Sequence, residues 1–138
     1  MTVAASRLPE PLRAPLLVGA GGLLAAAALL ARDPHTAGSW PVCPILALTG
    51  VPCPACGGLR ATHDLLTGHV VAALSSNAYA VLTVLLAAGA YVAWLAAAAR
   101  GRPLTWLRRS SWVGGLWAVG LLAFGLLRLL PALSVLRP

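Results

Sequence analysis

The 22 residues from Ala78 to Ala99, AYAVLTVLLAAGAYVAWLAAAA, contain no charged side chain. A helix of that length rises about 33 Å, enough to cross the hydrocarbon of a bilayer. A helix that is apolar on every side must be surrounded by apolar matter, and a chain of 138 residues is too short to wrap one in protein. Two similar runs flank it. Pro15 to Ala31 gives 17 apolar residues, close to the lower limit for a span, and Trp112 to Leu130 gives a third. The pattern predicts an all-α integral membrane bundle, one domain over residues 1–138, with spans at 15–31, 78–99 and 112–130.

Composition agrees. The chain is 59% hydrophobic and 9% charged, against roughly 25% charged in soluble domains. All ten basic residues are Arg, set against Glu10, Asp33 and Asp64, for a formal net charge of +7. Those arginines lie in short segments between apolar runs rather than on a water-facing fold, which excludes nucleic acid and points to the lipid bilayer as partner. Arg7 and Arg13 ahead of an apolar core also resemble a signal peptide, but the core is longer than an ordinary signal core and further spans follow, so a retained helix is expected.

Between the spans the chain is irregular or interfacial. Residues 1–14, with their prolines, read as an irregular lead-in. Arg32 to Trp40 is polar and broken by Pro34 and Gly38, and Trp40 suits the aromatic belt. Leu65 to Asn77, interrupted by Gly68 and His69, reads as a pair of short helices at the interface in a Cys-containing loop, 32–77. Arg128, one turn from the end of the third span, can snorkel to headgroups, and Pro131 closes that helix. Glycines on the spans (Gly19, Gly21, Gly22; Gly89; Gly115, Gly120, Gly125) allow close helix packing. Four arginines between Arg100 and Arg109, and two in the N-terminal tail, place those segments in the cytoplasm, with the cysteine loop and the C-terminus extracytoplasmic.

The chemistry-bearing stretch is Cys43 to Asp64, CPILALTGVPCPACGGLRATHD, which holds all three cysteines. Cys53-Pro54-Ala55-Cys56-Gly57 is a CPxCG turn. Two residues between cysteines let both sulfurs face one metal ion, and glycine after the second supplies a positive φ. A structural zinc site takes four ligands, so Cys43 and His63 complete the candidate set Cys43, Cys53, Cys56, His63; His35 and His69 are alternatives for the fourth place. Two other readings use the same atoms. A disulfide from Cys43 to Cys53 or Cys56 would close the loop, and Cys53 with Cys56 would perform thiol–disulfide exchange if Arg60 favoured the thiolate. Haem attachment is excluded because Gly57 stands where that motif needs His. Arg60 and Asp64 fall at i and i+4, which predicts a helix-surface ion pair; the alternative role for Arg60 is to bind a lipid phosphate.

Cys43-Pro44, Leu48-Thr49-Gly50, CPACG and Arg60-Ala61 together resemble the signature CPxxxLTGxxCPxCGxTRA of a family of small bacterial membrane proteins classed as a domain of unknown function. Asn77 and the ending Leu127-Arg128-Leu-Leu-Pro131 resemble it more loosely, and Leu59 departs from it where the family has Thr. The resemblance implies a kind of protein and a location, and no activity.

No paired carboxylates, Ser-His-Asp set, P-loop or dinucleotide motif marks a hydrolase or nucleotide enzyme. The expectation is a non-catalytic membrane module whose extracytoplasmic loop is held by zinc or a disulfide and which acts through a membrane protein partner or a second copy of itself. The alternative is a thiol–disulfide or metal-dependent redox enzyme using Cys53 and Cys56.

Overall fold

The computed structural model describes residues 10–102 and 111–130. Arg7, Arg108, Arg109 and Pro131, on which part of the orientation and helix-end reading rests, lie outside the described residues. Within them the fold is all-helical, with no strand: α1 Glu10–Ala31, α2 Pro44–Thr49, α3 Gly58–Leu66, α4 Val70–Ala99 and α5 Ser111–Leu129. The first, fourth and fifth are long and apolar enough to cross a membrane.

α1 begins earlier than the prolines suggest, since Glu10 to Ala14 are helical. Pro11 falls in the first turn, where its missing N–H has no helical acceptor to lose. Glu10 and Arg13 pair there at 2.6 Å on the exposed face. α4 is two helices meeting at Asn77, whose backbone is extended (φ −167°, ψ 96°). The break comes at the polar residues Ser75, Ser76 and Asn77, just before the apolar run from Ala78 starts. Asn77 Oδ1 accepts the N–H of Ala80 at 2.9 Å, so Asn77 is the N-cap of the second half of α4.

The long helices touch through a few side chains. Tyr91 lies against Gly19 and donates its hydroxyl to the carbonyl of Pro15 at 3.1 Å, tying α4 to α1. Tyr79 lies against Gly120, stacks on Phe124 with ring centroids 5.6 Å apart, and donates to the carbonyl of Trp117, tying α4 to α5. Trp117 Nε1 donates back to Thr83 at 3.2 Å. Gly19, Gly120 and Gly125 are therefore close-approach sites, whereas Gly21, Gly22, Gly89 and Gly115 face open space. Leu17, Leu23, Leu24 and Val71 are each more than 70% exposed. That apolar surface requires lipid around it, and the molecule is a multi-pass membrane protein.

Among the described residues the buried apolar cluster is small. Ala61, Ala73 and Val81 are buried together with Leu65 and Ala80 against them, joining α3 to both halves of α4.

Candidate metal centre

Cys43 is the residue before α2, where Pro44 supplies a preset φ at the first helical position. α2 ends at Gly50 in the left-handed conformation (φ 69°), which turns the chain back toward Cys53. Gly57 has φ 83° and caps α3, so the CPAC turn closes on itself immediately before that helix starts. The reversal at Gly50 thus returns the chain toward Cys43, and the one at Gly57 leads from the CPAC turn into α3.

The three sulfurs converge. Cys53 Sγ lies 3.3 Å from Cys43 Sγ and 3.0 Å from Cys56 Sγ, and all three are free thiols. A metal ion about 2.3 Å from each sulfur would set tetrahedral edges of about 3.8 Å, so the cluster needs to open by only some tenths of an ångström to hold one. The N–H of Cys53 donates to Cys56 Sγ at 3.2 Å. The N–H of Leu46, and then the thiol of Cys53, hold the Cys43 thiol below its ordinary value. Burial, reinforced by the neighbouring sulfurs, pushes Cys56 up to about 12. One site thus contains a sulfur disposed to ionise and one that resists it unless a cation is present.

The turn is gripped from below by two side chains of the long helices. Asn77 Nδ2 donates to the carbonyls of Pro54 and Cys56 at 3.1 and 3.0 Å. Arg128 donates to the same two carbonyls, at 2.9 Å to Cys56 and 3.5 Å to Pro54, and to the carbonyl of Ser76 at 3.3 Å. Arg128 is fully buried and lies over the Phe124 ring at 5.3 Å. The expected snorkelling of Arg128 is therefore wrong: desolvated turn carbonyls take the guanidinium inward. Gly125, one turn earlier on α5, makes room for Pro54; a Cβ there would stand 2.5 Å from Pro54 Cγ.

Arg60 and Asp64 do share one helix, but the predicted ion pair between them does not form. Asp64 is buried and its carboxylate goes elsewhere, with Oδ1 2.8 Å from His35 Nε2 and Oδ2 accepting the Ser76 hydroxyl at 3.3 Å. Arg60 lines a cavity of about 630 Å³ together with His35, Trp40, Cys43, Cys53 and Cys56. His63 groups with Asp33 and His35 and not with the three sulfurs. His69 bonds to Thr67 at 3.0 Å.

Asn77, Arg128 and Ser76 were not singled out as site residues by spacing. The available signal was their polarity within or beside apolar helices, where such residues mark function or internal pairing. No curated protein and no solved structure matches the chain. Residues 43–91, which contain all three cysteines, Arg60, Asp64 and Asn77, are similar to a protein family of unknown function, DUF2752.

Proposed function

We propose that this chain is a membrane module that holds one thiophilic metal ion, zinc being the best fit, with Cys43, Cys53 and Cys56. The bound ion fixes the loop 32–69 as a recognition surface for a membrane partner, and the loop faces the extracytoplasmic side. The observation that carries this is the convergence of three sulfurs from two separate turns, with backbone N–H groups directed at Cys43 and Cys56. Thiolate and imidazole ligands suit zinc. The three sulfurs leave the fourth position to water or to a donor that enters through the cavity.

Metal content and thiol count on detergent-purified protein test the proposal. One zinc per chain, lost in each Cys→Ser variant, supports it. A protein without bound metal, in which two thiols react only after reduction, would sink it. Orientation is read by maleimide labelling of intact cells with the metal removed; labelling only after lysis would invert the topology.

A second reading rests on the position of Cys53, which touches both other sulfurs and can form a disulfide with either. It predicts that Cys56→Ser or Cys53→Ser traps a mixed disulfide with a partner thiol. Failure to trap any such species removes it.

A further inference from the structure

We propose that Asp33, His35 and His63 form a second metal site, for a borderline divalent transition ion such as zinc, backed by Asp64 and independent of the three sulfurs. The ligand atoms of these three residues lie within 4.8 Å of one another. They come from two places, the turn after α1 and the last turn of α3. His63 Nδ1 is buried and has no hydrogen-bond partner, and at 3.9 Å Asp64 Oδ1 is too far to supply one. A buried ring nitrogen without a partner is unfavourable, and a cation bound by the ring would remove that cost.

The surroundings are those of a ligating histidine pair. His35 Nε2 meets the buried Asp64 carboxylate at 2.8 Å; in the tautomer that donates from Nε2 to this carboxylate, Nδ1 is the nitrogen left to bind a metal ion. Ser76 holds the other carboxylate oxygen. The two imidazole rings approach edge to face with centroids 5.8 Å apart, so they converge rather than stack. Two imidazoles and one carboxylate are a donor set for zinc or another divalent first-row ion. Asp33 and His35 are exposed, so the remaining coordination positions open to water and to the cavity that the thiols also line. Asp33 Oδ1 accepts the His35 backbone N–H at 2.8 Å, which sets its carboxylate beside the ring, and the His35–Asp64 ion pair does not account for the orphaned nitrogen of His63.

Cobalt(II) titration of the full-length, tag-free protein in detergent tests this, because thiolate-to-cobalt absorption reports the cysteine site separately. The wild type should take up two equivalents. His35→Ala and His63→Ala should each lose one while keeping the thiolate band, His69→Ala should keep both, and Asp64→Asn should weaken the sulfur-free equivalent about 10–100-fold. Unchanged binding in His35→Ala and His63→Ala overturns the proposal. So does loss of the thiolate band in His63→Ala, which would make His63 a ligand of the cysteine site. As a complementary measurement, the Cys43→Ser/Cys53→Ser/Cys56→Ser variant, shown to be folded by circular dichroism, should retain one equivalent; none bound would again overturn it. A histidine-dependent equivalent in a wild type that shows no thiolate band would support this site while sinking the cysteine reading.

Discussion

The cysteine turn and the middle of the three long helices are held by different forces. In the middle, the contacts centre on two tyrosines packed against glycines, Tyr91 on Gly19 and Tyr79 on Gly120, each donating its hydroxyl to a single carbonyl of the facing helix. At the turn, the contacts are buried hydrogen bonds from Asn77 and Arg128 to backbone carbonyls. In lipid, apolar contact between helices gains little over contact with lipid tails, so the helices need only fit. An irregular turn must instead have its backbone groups satisfied by protein. Position is therefore dictated at the turn, and the spans are a frame that brings Asn77 and Arg128 to it.

Substitutions sharpen that contrast. The largest effect is expected for Arg128→Met, which keeps the apolar volume, takes the Arg128 donor from the Ser76 carbonyl and leaves Asn77 as the remaining side-chain donor to Pro54 and Cys56; the loss should be about 3 kcal/mol, read by unfolding in detergent and by faster proteolysis within 32–69. Asn77→Ala removes a cap and two donors whose acceptors Arg128 still reaches, so about 2 kcal/mol is expected in the same assays. Gly125→Val forces Pro54 away from α5 and should cost about 1–2 kcal/mol, together with weaker metal retention.

The pH response comes next. In reduced, metal-free protein, folded Cys56 keeps its proton up to about pH 12 while the unfolded thiol loses it near 9.0. Stability should therefore fall as pH rises from about 9 to about 12, and Cys56→Ala should abolish that fall. Cys43 acts in the opposite sense, adding stability as pH rises toward its ordinary value of 9.0. Iodoacetamide at pH 8 should accordingly modify Cys43 faster than Cys56. The smallest effect is expected for Gly21→Ala, which faces open space; a change within about 0.5 kcal/mol in melting experiments marks it as outside the grip.

Local chemistry made much of this legible in the sequence. The uncharged run begins one residue after Asn77, where the backbone of α4 breaks. The Gly57 position after CPAC announced a positive φ, and the spacing of Cys43 to the turn let the sulfurs meet. Other features depend on tertiary phase and were not legible. Whether Arg128 points to lipid or to the turn depends on the rotation of α5, which Gly125 against Pro54 sets from 71 residues away. The i,i+4 rule for Arg60 and Asp64 failed because His35, 29 residues earlier in the chain, reaches the carboxylate first.

Arg128 follows Cys56 by 72 residues. At ordinary synthesis speeds the ribosome needs roughly 4–15 s to cover that stretch. For that interval the turn stands without the Arg128 donor. Closure of the grip on the Pro54, Cys56 and Ser76 carbonyls therefore waits for α5.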